Sequence, residues 1–367
     1  MYQVINIAGI KIKINNSEIG NLIIQDLDGI CSIANNDTGI DIELHFKNYG
    51  LNYRILSGNN LRYNENGFEN RFLSSIDYIS CNTFVKNMKI DIYIKRKNIG
   101  IRGKIKSFLY GKNIVEKDTV LSYSLFWYIF QIKLMQLNRT FLHAGIFADS
   151  NNNAIAITGT GGSGKTSTLF KILEDSNYKY LAEDFAIIDI NGYTYYNPKP
   201  ISVYETDMKF NPNLLGKVFL LFSNTEKIFW KFYVKILKRN PIVKINPEKL
   251  LGNRISVKGK LKKVVYVIRE DIKDFNYREI CVDELSQRSL NVALREFKTL
   301  FEILTLLNAN RLDDYTQMYT FQEFKNTLNS LYNQSFTHSK NYLLKIPYNK
   351  TPEEVVFYLK KNGLFDE

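Results

Sequence analysis

Eight residues constrain this chain more than any others: Gly159-Thr160-Gly161-Gly162-Ser163-Gly164-Lys165-Thr166. They satisfy GxxxxGK[ST], and the context is the required one, with the apolar run NAIAITG before them and a helix-like run after them. Glycines at this spacing let backbone N–H groups turn inward, and the start of the following helix adds its positive end, so the segment suits phosphate oxygens. Lys165 is placed to reach the β- and γ-phosphates and the Thr166 hydroxyl to ligate Mg2+. With Ser167 added, residues 159–167 are the expected nucleotide-binding positions for ATP and Mg2+.

A strand before such a loop and a helix after it predict an α/β core. Other apolar patterns extend it. VLSYSLFWYIFQIKLMQLNR at 119–138 has the length and spacing of a helix. FLHAGIFA and NAIAITG are joined by DSNNN, a hairpin signal. YLAEDFAIIDI predicts one strand, and a second hairpin turns at Asn191-Gly192. KKVVYVIRE predicts a buried strand, 284–308 a helical stretch, and NYLLKIP a strand. Thr351-Pro352-Glu353-Glu354 predicts the start of a capped helix. Upstream, VINIAGIKIKI, IDIELHF and MKIDIYIKR alternate like short strands between Asn- and Gly-rich turns. The expected organisation is a β-rich region over 1–115, a nucleotide-binding core over 116–310, and a strand and helix over 311–367 that pack on that core.

Glu183-Asp184 follows Thr166 by about one helix and half a strand. A short unit of this kind can set two carboxylates beside a γ-phosphate, one handling Mg2+ and one accepting the proton of an attacking hydroxyl. His143 lies inside the apolar run FLHAGIFA, where a histidine is most often part of the core.

Taken together, LHAGIFA, ITGTGGSGKTS and YLAEDFAII resemble the core of the HPr kinase/phosphorylase family, which shares a nucleotide-binding core with phosphoenolpyruvate carboxykinases. The resemblance covers 141–190 and continues faintly through Arg254 and KKVVYVIRE. It implies a mixed-sheet P-loop kinase core and ATP-dependent transfer to an alcohol group. It makes His143 a catalytic-site candidate beside Lys165, assigns Glu183 and Asp184 to the base and metal positions without distributing them, and marks Arg254 as a substrate candidate. The family carries Asp at both acidic positions, whereas Glu183 stands first here. Beyond residue 196 the family's glycine-containing signature finds no match, so neither HPr as substrate nor the reverse reaction is expected, and carboxykinase substrate motifs are not recognisable.

The net charge of +12 is local. Residues 209–263 hold fourteen Lys or Arg against Glu226 and Glu248, and the remainder is balanced. Within 224–239, Lys227, Lys231, Lys235 and Lys238/Arg239 recur at helical spacing among aromatic and aliphatic residues. This predicts a helix able to meet an anionic membrane surface, an acidic peptide or an anionic acceptor, with Lys231 and Lys235 as contact residues. Nucleic acid is not expected, because no nucleic-acid module accompanies the charge.

With 45% hydrophobic residues the chain is not of the disordered class. Three cysteines without CxxC spacing suggest neither a disulfide framework nor a zinc site. No run of about 18 apolar residues predicts a spanning helix, and the alternating N-terminus lacks a signal-peptide pattern. A cytoplasmic protein, peripheral at most, is the expectation. The favoured function is a kinase acting on a peptide or protein serine or on a small molecule such as a sugar. The alternatives are a nucleotide-switched binding protein with slow ATPase activity and a membrane-surface kinase acting on a lipid-linked glycan.

Overall fold

A computed structural model describes residues 2–15, 24, 39–48, 61–64, 67–70, 76–81, 88–94, 121–175, 177–236, 242–309 and 319–365. Expectations for 95–115 and for Lys238 and Arg239 lie outside the described residues. The chain divides into two compact units, one formed by Met1–Lys133 with Phe297–Phe324, the other by Leu134–Glu296 with Lys325–Glu367.

In the first unit, seven strands among the described residues form one mixed sheet. They are β1 (Tyr2–Ile7), β2 (Ile10–Asn15), β3 (Ile42–Asn48), β4 (Leu61–Asn64), β5 (Gly67–Asn70), β6 (Ile76–Cys81) and β7 (Met88–Ile94), in the order β1-β2-β3-β7-β6-β5-β4. Alternation decides the pairing face: Ile10, Ile12 and Ile14 of β2 are buried while Lys11 and Lys13 reach outward. Helix α1 (Leu121–Gln136) begins in this unit and buries Phe126, Trp127 and Phe130. Lys133, buried near its end, is compensated by Asp41 at 3.3 Å.

The second unit carries the candidate site. Its mixed sheet is built around the hairpin β8 (Arg139–Ala148) and β9 (Asn153–Gly159), whose turn sets Asn152 at φ 60°. After the loop comes α2 (Lys165–Asp175), then β10 (Lys179–Ala182), β11 (Phe185–Asp189) and β12 (Tyr193–Tyr195). The single strand expected over YLAEDFAIIDI is interrupted at Glu183-Asp184, although β10 and β11 both pair antiparallel with β8. The interruption has a backbone cause: Asp184 adopts φ 72°, outside the range of a continuous strand. The Asn191-Gly192 hairpin forms between β11 and β12, with Gly192 at φ 72° and the Asp189 carboxylate accepting from the Asn191 and Tyr193 N–H groups.

The segment after Pro200 forms β13 (Ile201–Tyr204), α3 (Glu205–Phe210), α4 (Pro212–Leu221), α5 (Asn224–Lys235), β14 (Ile242–Ile245) and α6 (Pro247–Leu251). Then β15 (Lys258–Glu270) runs parallel to β9 on one side, while β16 (Asn276–Glu279) pairs with β17 (Lys340–Pro347), itself parallel to β15. The helical stretch expected over 284–308 is two helices, α7 (Val282–Glu296) and α8 (Lys298–Ala309), separated at Phe297. The chain ends with α9 (Phe321–Phe336), which seals β8 through the Tyr332 hydroxyl donating to Phe141 O at 2.6 Å, then β17, then α10 (Pro352–Lys361). Thr351 and Glu354 form the expected capping box of α10.

Candidate active site

Strand β9 must end in glycine. A Cβ at Gly159 would meet the Val267 carbonyl of β15 at 2.4 Å, and the residue lies at φ 152°. Thr160, Gly161 and Gly162 then pass through solvent, Gly162 at φ 80° and Gly164 at φ 89°, and the chain enters α2 at Lys165. The Ser163 hydroxyl closes the turn on Thr160 O at 2.9 Å. Lys165 folds back over the loop, its ammonium donating to Gly159 O at 3.0 Å and Thr160 O at 2.9 Å. Burial lowers its pKa to about 8, against the opposing pull of Asp184, Glu183 and Glu296.

The acidic pair meets the loop from the neighbouring strands. The Thr166 hydroxyl donates to Glu183 Oε1 at 2.6 Å. Ala144 of β8 donates its backbone N–H to Asp184 O at 3.0 Å, which fixes the interruption opposite the hairpin. Asp184 Oδ2 is ion-paired with Lys199, whose ammonium also lies 4.4 Å from the centroid of the Phe185 ring. His143 faces the pair from β8: its Nδ1 is 3.6 Å from Asp184 Oδ1 and 3.5 Å from Glu296 Oε1. That Nδ1 atom is buried and has no hydrogen-bond partner among the described residues.

These neighbours separate the two carboxylates. Burial, reinforced by the Asp184 charge, pushes Glu183 above the usual carboxylate range. Burial acts on Asp184 in the same direction, but the Lys199 charge overcomes it and holds Asp184 low. Burial outweighs the Asp184 charge at His143 and lowers the imidazole to about 4, so the ring is neutral at physiological pH. A low Asp184 beside a high Glu183 is the divergence expected of groups with different tasks.

A further support sits under the loop. Ser167 donates to buried Asp207, which also accepts the Tyr204 N–H at 3.0 Å. Behind the loop, Arg269 at the end of β15 donates to Ser163 O at 3.4 Å and to the carbonyls of Pro347, Tyr348 and Lys350.

The candidate residues are therefore not all in one place. Gly159–Ser167, Glu183, Asp184 and His143 converge. The Arg254 guanidinium instead donates to Tyr178 O at 3.1 Å, before β10 begins. Lys231 and Lys235 stand on the exposed side of α5. Sequence reasoning missed Lys199, Asp207, Arg269 and Glu296. Arg269 carried a usable signal, because a strand parallel to β9 ends level with the loop.

Among the described residues no three or more His, Cys, Asp or Glu side chains form a metal cage. Mg2+ shared with phosphates needs only one or two carboxylates, however, and the Thr166 hydroxyl and Glu183 carboxylate are hard oxygen donors already within contact of each other. The residues fit that cation. No described helix is long and apolar enough to cross a membrane.

No family model matches this chain, and no curated protein matches it. Among solved structures it is similar to the Hpr(Ser) kinase/phosphatase from Coxiella burnetii, with a TM-score of 0.28 and 10% identity, covering 61% of this chain and 97% of that one.

Proposed function

We propose that the chain binds ATP with Mg2+ at the 159–167 loop and transfers the γ-phosphoryl group to a hydroxyl of a peptide, protein or small molecule. The observation that carries this reading is the 2.6 Å contact between the Thr166 hydroxyl and Glu183, which joins a glycine-rich loop and helix start to a half-buried acidic pair. A loop that only bound phosphate would not need two carboxylates with opposed pKa shifts beside it.

In this reading Glu183 is the metal-side carboxylate and Asp184 the acceptor-side one. Thr166 and Glu183 would hold Mg2+, which supplies neutralisation of phosphate charge. Loop N–H groups and the α2 N-terminus orient the phosphates, and Lys165 exchanges its carbonyl contacts for phosphate oxygens. Asp184, kept ionised by Lys199, accepts the proton of the acceptor hydroxyl as that oxygen bonds to phosphorus and the bridging oxygen leaves with ADP. Neutral His143 borders the same space and helps to exclude water from it. Arg269 holds the rear of the loop, and Asp207 holds Ser167.

The test is ADP release with candidate hydroxyl acceptors present or absent. A kinase releases ADP faster when acceptor is supplied, and Lys165→Ala abolishes this. Release that ignores every acceptor would favour a nucleotide-switched binder.

A further inference from the structure

Helix α5 presents an apolar ridge to solvent. Its inward anchor is Trp230, buried against Phe219 and Phe222. At about 100° per residue, the side of the helix opposite Trp230 and Val234 carries Ile228, Phe232 and Ile236. Ile228 is 70% exposed, Ile236 66% and Phe232 42%, and Ile236 continues the helical pattern through its N–H to Phe232 O at 2.9 Å. Lys231 and Lys235 are exposed along one flank of that ridge. On the preceding helix, Leu220 is 83% exposed and Leu221 42%. Large apolar side chains left exposed at i, i+4 and i+8, opposite a well-anchored tryptophan, form a patch suited to contact outside the unit.

Charge and shape select the occupant. Residues 209–247 contain eight Lys or Arg and only Glu226 as an acid, so the complementary surface is anionic. The ridge is the outward side of a single helix. A peptide ligand is usually taken into a groove, whereas an exposed apolar helix face flanked by lysines matches the boundary between lipid headgroups and acyl chains.

We propose that α5 docks this protein on an anionic bilayer surface, with Ile228, Phe232 and Ile236 entering the headgroup–acyl boundary and Lys231 and Lys235 meeting lipid phosphates. The inference goes beyond the phosphotransfer reading and does not rest on it.

The test is co-sedimentation of the full chain with vesicles of phosphatidylcholine alone or mixed with phosphatidylglycerol. Partition is expected onto the mixed vesicles and not the neutral ones, and it weakens as salt rises. The double variant Lys231→Glu/Lys235→Glu is expected to lose about tenfold or more in partition. Ile228→Ser/Ile236→Ser is expected to lose a comparable factor, which a purely electrostatic contact would not show. Because all four side chains are exposed, thermal midpoints should match the parent and exclude misfolding as the cause. Equal partition onto both vesicle types, no partition at all, or variants that bind like the parent would overturn the proposal. Retention by immobilised polyglutamate without vesicle binding would overturn it in favour of an acidic protein partner.

Discussion

Thr166 Oγ1 and Glu183 Oε1 stand 2.6 Å apart although seventeen positions separate them in sequence. This contact fixes the first turn of α2 against the break between β10 and β11. It also sets the only hydroxyl of the GKT motif beside the carboxylate that burial pushes up.

Glu183→Gln preserves the shape of that contact and removes the charge. Nucleotide affinity in Mg2+ is expected to fall at least roughly tenfold, the scale seen when support for a bound metal is lost. Affinity measured in EDTA should not change. Calorimetric titration under both conditions checks this, and an equal loss in both would remove Glu183 from the metal side.

Asp184→Asn is expected to act on turnover. Loss of a general base costs roughly 10²- to 10⁴-fold in kcat, while the Kd for Mg2+–nucleotide should stay near the parent's. Single-turnover phosphate transfer, set beside equilibrium binding, separates the two effects.

His143 makes a prediction about acid stability in metal-free protein. Its folded pKa is about 4 against an ordinary 6.5, so between those values the unfolded chain holds a proton that the folded chain refuses. Stability is therefore fully present above pH 6.5 and is lost as pH falls toward 4, by up to about 3 kcal/mol. His143→Gln should flatten that limb. Urea unfolding in EDTA at pH 7.5 and pH 5 gives the comparison, and an unchanged pH slope in the variant would contradict the assignment.

Gly159→Ala places a methyl group where Val267 O already lies, at 2.4 Å, and the residue sits at φ 152°. Strand β9 must pull away from β15, at a cost of roughly 2–4 kcal/mol. Gly161→Ala meets nothing within 4 Å and serves as the control. Chemical denaturation of both variants reads the difference directly.

How far the site could be read from sequence follows from how local each signal is. The loop, the hairpin ahead of it and the α10 cap are set by neighbours within a few positions, and Thr351 with Glu354 formed as expected. The break at Glu183-Asp184 was hidden because apolar residues flank it on both sides. The Asp184 backbone at φ 72° makes the break, and it is held there by Ala144 of β8, forty residues earlier in the chain. Lys199 sits between two prolines in a stretch without periodicity, and only the return of that stretch beside β11 brings its ammonium to Asp184. Glu296 closes a helix whose placement depends on tertiary packing. In α5 the helix was legible, but which stripe faced inward was decided by Trp230, one residue among many apolar ones.

Asp184 sits at φ 72°, a backbone setting that β-branched side chains resist. A saturation survey at this position would therefore record two deficits together, a missing carboxylate and a forced chain path. Asn and Gly would separate them, since both accept this setting. The deficit those two share belongs to the lost charge, and the excess shown by Val, Ile or Thr belongs to the bend. Among diverging sequences that kept this bend but lost the reaction, drift at position 184 would be channelled toward Asn and Gly before any other residue.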